Sequence, residues 1–137
     1  MPSPLIASPC YRDTRKAIDF LVDAFGFEVH ALYEAEDGII VHEELTFGDA
    51  MVMLPRPGDG ETGRLLSAVA DAGKPTGGFY LVIDDVDAHA QRARAAGAQI
   101  VIEPRDRAHG GRDYTCRDHE GHVWTFGTYD PWDTTGA

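Results

Sequence analysis

The chain has little cysteine, few bases and no long apolar run, and each shortage closes off a class of protein. Cys10 and Cys116 are the only cysteines among 137 residues, and they stand far apart with no CxxC spacing. A disulfide-stapled scaffold is therefore not expected, and free thiols in a cytoplasmic setting are. Nothing approaches 18 consecutive apolar residues, which excludes a helical membrane span on length. The opening nine residues carry three prolines, Pro2, Pro4 and Pro9, and no charged lead-in, so no secretory signal is expected. Only 12 bases stand against 23 acids, a formal charge of −11. Nucleic acid is thereby excluded as a partner, because such binding draws most of its affinity from Lys and Arg neutralising phosphates. A field of this sign keeps a protein soluble and steers cations towards it.

What is present is ordinary globular material. Hydrophobic residues make up 43% and aromatics 9%, enough to build a core without staples. The length suits one domain, or two small modules sharing a core.

The informative feature is an internal repeat. In the first half an apolar run, Leu5 to Tyr11, precedes Asp13, whose carboxylate suits an N-cap. Ala17, Ile18, Leu21, Ala24 and Phe25 follow at three- and four-residue steps, the stripe of a core-facing helix, and Gly26 stops it. Three strand-like runs come next: Phe27 to Tyr33, Ile39 to Phe47 and Ala50 to Leu54, with turns at Asp37-Gly38 and Gly48-Asp49.

The second half repeats that order. Gly78 to Ile83 is apolar, Asp84-Asp85 sits at the cap, and Val86, Ala90, Ala93 and Ala96 form the stripe before Gly97. Gln99 to Glu103, Asp113 to Arg117 and His122 to Tyr129 read as strands. Asp13 to Gly26 and Asp84 to Gly97 both span 13 steps, an offset of 71 that becomes about 72 by the last strand.

The fold expected is α+β: two βαβββ modules forming a curved mixed sheet, with helices on the outer face and the bare face making a cup. One domain covers residues 1–137, with module one at about 5–54, a Pro- and Gly-rich linker at 55–76, module two at about 77–129 and a tail at 130–137. A short helix is expected within the linker, from Arg64 to Ala72.

Three stretches resemble landmarks of one superfamily. Arg12-Asp13 through Ala24-Phe25-Gly26-Phe27 resembles the opening of glyoxalase/bleomycin-resistance/dioxygenase proteins, the vicinal oxygen chelate group. Phe79-Tyr80-Leu81-Val82-Ile83-Asp84-Asp85-Val86-Asp87-Ala88 resembles the start of their second module. Arg117-Asp118-His119-Glu120-Gly121-His122-Val123-Trp124 resembles the turn and strand that close it. The resemblance spans residues 5 to 129 and implies the fold above. It does not select one activity, since that fold hosts isomerases, dioxygenases, thiol transferases and drug-binding proteins.

The resemblance also implies metal ligands on the first and last strand of each module. Those positions fall on Gly78 and Thr125 in the second module and on Ala7 and Met53 in the first. None offers imidazole, carboxylate or thiolate, and a one-residue slip to Ser8, Val52, Gly77 or Trp124 does not help. No metal is expected at the usual place.

An atypical site is the alternative. A two-residue turn at Gly48-Asp49 pairs Phe47 with Ala50, and side chains alternate, so His42, Glu44 and Thr46 should share the face of Met51 and Met53. His42 and Glu44 are the candidate catalytic pair: two ligands of one divalent ion, or a base and its orienting partner. They serve equally as polar groups of a binding cavity. The candidate ligand-binding set is Met51, Met53, Tyr80, Val82, Val123 and Thr125, an apolar and sulfur-bearing wall. Tyr129, Trp132 and Tyr114 are candidate flat surfaces at its mouth, and Trp124 and Phe126 should turn to the core. His30 and His89 read as solvated surface groups. His109-Gly110-Gly111 reads as a loop edge, and the faces of Tyr114 and Cys116 stay open.

Three readings follow. One is a metal-free protein that binds a small organic ligand, cationic or aromatic by analogy with bleomycin-type resistance proteins. Another is a metal-dependent lyase, isomerase or dioxygenase using His42 and Glu44. The third is a structural or regulatory partner without a ligand. The resemblance implies a homodimer in each case.

Overall fold

A computed structural model describes residues 2–58 and 60–133, so residues 134–137 of the expected tail lie outside the described residues. The chain separates between Lys74 and Pro75 into two compact units. Among the described residues no helix is long and apolar enough to cross a membrane.

In the first unit Asp13 caps helix α1 (Thr14–Phe20), its carboxylate accepting the Lys16 backbone N–H at 3.0 Å. The expected stripe of Ala17, Ile18, Leu21, Ala24 and Phe25 is buried throughout. The helix does not continue as α: Leu21–Phe25 widens into a π turn before Gly26 stops it at φ 89°. The cap of the second helix is Asp85, so the second helical span is one residue shorter than the first. The π turn absorbs that extra residue and lets both helices start at an aspartate and end at a glycine.

Strands β1 (Glu28–Glu34), β2 (Ile40–Phe47) and β3 (Ala50–Val52) form an antiparallel sheet in that order. The Gly48-Asp49 turn sets Phe47 opposite Ala50 and Thr46 opposite Met51, the register expected. Shifts in the β1–β2 ladder leave His30 and Val41 as unpaired extra residues.

The run from Leu5 to Tyr11 does not become a full strand. Ala7 alone bridges to Val52, in parallel sense, with its N–H donating to the Met51 carbonyl and its own carbonyl accepting the Met53 N–H at 3.0 Å. Pro4 and Pro9 flank that bridge, and neither has an N–H with which to extend a ladder. The expected Arg64 to Ala72 helix is likewise reduced: the linker holds two single turns, α2 (Gly60–Gly63) and α3 (Val69–Ala72).

The second unit keeps the whole plan. It comprises β4 (Gly78–Val82), α4 (Val86–Ala95), β5 (Gln99–Asp106), β6 (Arg112–Arg117) and β7 (Val123–Gly127), in the sheet order β4-β7-β6-β5. Strand β4 runs parallel to β7, with Gly78 opposite Val123. Subtracting 71 from both numbers gives Ala7 and Val52, the pair bridged in the first unit. The two units thus share one topology, with the leading strand cut to a single bridge in the first.

One face of the second sheet is core. Trp124, Phe126, Tyr114 and Cys116 are buried there, as are Val86, Ala90 and Ala93 of α4. Ala96, expected in that stripe, is exposed, and Ala98 is buried instead. The 118–121 turn is held by the buried Asp118 carboxylate, which accepts the N–H groups of Glu120 and His122 and the indole Nε1–H of Trp124, each at 3.0 Å.

Candidate ligand-binding site

Alternation along β2 sends Glu43 and Leu45 into the core and leaves His42, Glu44 and Thr46 half-buried on the other face. There His42 Nε2 lies 2.8 Å from a Glu44 carboxylate oxygen. A carboxylate only accepts, so the imidazole donates through Nε2, and in its neutral form this leaves Nδ1 as an acceptor. Tyr33, paired with His42 across β1, covers its ring at a centroid distance of 5.9 Å. The bulge at His30 brings that imidazole's Nε2 to 3.9 Å from the other Glu44 oxygen. His30 is exposed, as expected, but it faces Glu44 rather than bulk solvent alone. An oriented imidazole of this kind can accept a hydrogen bond from a ligand, or a proton.

Beside His42 lies a cavity of about 600 Å³, walled by Met53, Leu54, Arg56 and the Gly60–Gly63 turn. The backbone carbonyl of Arg56 runs so close to Gly63 that a Cβ there would collide with it. Glu43 also lines this cavity although only 4% of it is exposed. Its Oε1 accepts the Leu54 N–H at 2.5 Å. Burial pushes the carboxyl above its ordinary range, opposed by that hydrogen bond and by the charges of His42 and Arg56. Glu43 was not among the expected site residues. The signal was available: a glutamate at an inward position of an alternating strand, next to Leu45.

In the second unit the open face carries Tyr80 opposite Thr125, Val82 opposite Gly127 and Val123 opposite Gly78. Thr115 and Thr125 join hydroxyls at 2.8 Å. Tyr80 lies across Gly127 and donates its hydroxyl to the Tyr129 carbonyl at 2.7 Å. Burial and the nearby carboxylates of Asp113 and Asp130 push its phenol up.

Tyr114 and Cys116 take the core face opposite Phe126 and Trp124, which removes Tyr114 from the candidate flat surfaces. Burial pushes the Cys116 thiol up to about 12, so it stays an inert thiol. Tyr129 and Trp132 remain exposed, with His109 set edge-on to Tyr129 at 5.5 Å. His89 corrects an expectation. Instead of standing in solvent, its Nδ1 lies 2.5 Å from the Tyr114 hydroxyl and its ring 4.3 Å from that of Phe126, because α4 lies over β6.

The positions that the resemblance assigns to the superfamily's metal do not suit one. Ala7, Met53, Gly78 and Thr125 carry no side-chain donor suited to a divalent ion. Among the described residues no three or more His, Cys, Asp or Glu side chains are grouped to hold one.

These features coincide with a known class. Residues 9–126 match the Glyoxalase/Bleomycin resistance protein/Dioxygenase superfamily, and the chain belongs to it. TioX from Micromonospora sp. ML1 has a similar structure, with a TM-score of 0.73 and 37% identity, covering 91% of this chain and 97% of its own. An uncharacterized Mycobacterium tuberculosis protein, Rv0887c, is 33% identical over 119 residues, 84% of this chain and 68% of its own. A glyoxalase/bleomycin resistance protein from Streptomyces sp. CB03234 shares the fold, with a TM-score of 0.64 at 23% identity over 90% of this chain and 98% of its own.

Proposed function

We propose that this chain is a glyoxalase/bleomycin-resistance-like protein that binds a small organic ligand, cationic or aromatic, without the superfamily's usual metal. The observation that carries the reading is the carboxylate-oriented His42 beside a cavity of about 600 Å³ with Met53 in its wall. Its wall mixes the apolar side chains of Ile40, Val41, Met53 and Leu54 with the charged or polar ones of His42, Glu43, Arg56 and Glu61, which suits a modest organic molecule carrying a charge. In the first unit His42 and Met53 supply contacts, with Glu44 and Met51 on the same sheet face; the second unit presents Tyr80, Val82, Val123 and Thr125 on the open face of its own sheet. The net charge of −11 favours a cation. The protein works in the cytoplasm as a homodimer.

The test is a melting-temperature screen of small cationic and aromatic compounds, followed by titration of a hit against His42→Ala. A binder keeps its fold and loses affinity only. Turnover of a hit, abolished in His42→Ala, would replace this reading with the lyase, isomerase or dioxygenase one.

A further inference from the structure

Among the described residues, Glu43 is the one buried carboxylate that lines the cavity. Its hydrogen bond to the Leu54 N–H satisfies a backbone donor just past the end of β3. A glutamine would accept the same bond without a charge to desolvate. Keeping an ionised group where water is excluded is costly unless a cation meets it. Arg56 lines the same cavity and acts on Glu43 through its charge, more weakly than His42 does, and no hydrogen bond joins the Arg56 and Glu43 side chains among the described residues. The acid of α2, Glu61, lines the cavity as well, and Ile40, Val41 and Met53 give it an apolar side.

We propose that Glu43 is the charge-recognising residue of this cavity, and that the cavity takes a protonated amine carried on an apolar or aromatic body. The inference rests on the ligand-binding reading above and adds to it a residue and a chemical class. The ammonium meets the Glu43 carboxylate from the cavity side, while the ligand's body lies against Met53 and Ile40.

Three probes of one size separate charge from shape: phenethylamine, 2-phenylethanol and phenylacetate. Each is titrated into the full chain and followed by amide NMR shifts, with Leu54 and the Gly60–Gly63 turn as reporters. The expected order is the amine about tenfold tighter than the alcohol, the size of a charge-assisted hydrogen bond, with the carboxylate weakest. Glu43→Gln should bring the amine to the level of the alcohol and leave the alcohol unchanged.

Equal binding of amine and alcohol to the wild type overturns the assignment but leaves a small-molecule site standing. So does an amine preference that survives in Glu43→Gln. If no probe moves any reporter, the assignment and the ligand-binding reading fall together. Should Glu43→Gln not fold, the ranking of the three probes on the wild type decides alone.

Discussion

Asp118→Ala should be the most damaging polar substitution in the second unit. The Asp118 carboxylate is buried and accepts three hydrogen bonds, from the N–H groups of Glu120 and His122 and from the Trp124 indole. Trp124 is 1% exposed, so its orphaned N–H has no water to turn to. Leaving such a buried donor unmet costs about 1–3 kcal/mol. The two turn amides are only half-buried and can recruit water, which limits their share to about 1 kcal/mol together. With the lost packing, Asp118→Ala should destabilise by about 3–5 kcal/mol, while Asp118→Asn, which keeps one acceptor oxygen, should cost about 1–2 kcal/mol. Urea unfolding followed by tryptophan fluorescence and circular dichroism measures both. A loss below about 1 kcal/mol for the alanine variant, or equal losses for the two, would refute the reasoning.

Three further outcomes are expected. At Gly127 a Cβ would stand 2.7 Å from the Tyr80 hydroxyl and 2.8 Å from Asp113 Cβ, so Gly127→Ala should cost about 1–3 kcal/mol and displace the Tyr80 ring in NMR spectra. An unchanged Tyr80 environment would contradict that placement. Cys116 is fully buried with its thiol pushed up to about 12, so at pH 8 it should react with iodoacetamide only after unfolding; prompt native labelling would show that the core face is open. Glu43 has its carboxyl pushed above the ordinary value of 4.5, so the folded state holds its proton more tightly than the unfolded one. The stabilisation from that proton is full below about pH 4.5 and is lost as pH rises through the folded-state value. Wild type should therefore lose stability relative to Glu43→Gln between pH 4 and 8 in urea titrations, and a pH-independent difference would contradict it.

Most of the plan was legible in the sequence because it rests on local rules. An aspartate before an apolar stripe and a glycine after it marked both helices. The Gly48-Asp49 pair set the β2–β3 register, which in turn placed His42, Glu44 and Thr46 on one face. Departures arise where local preference meets a second constraint. Prolines at 4 and 9 reduce an apolar run to the Ala7 bridge, and one extra residue before Gly26 becomes a π turn. Polarity suggests solvated positions for His30 and His89, but a bulge turns one towards Glu44 and the packing of α4 presses the other onto Tyr114 and Phe126. Glu43 is not legible as a site residue from the alternation of β2 alone, which sends it to the core face opposite His42 and Glu44.

On the proposed function, this chain binds its ligand without the superfamily's metal, using the His42–Glu44 pair as polar groups of a binding site. Elemental analysis of untagged protein dialysed free of chelator tests it most directly. Far less than one metal ion per chain is expected, with a melting temperature indifferent to chelator. Near-stoichiometric zinc, nickel, iron or manganese, lost from His42→Ala or Glu44→Ala along with thermal stability, would contradict it.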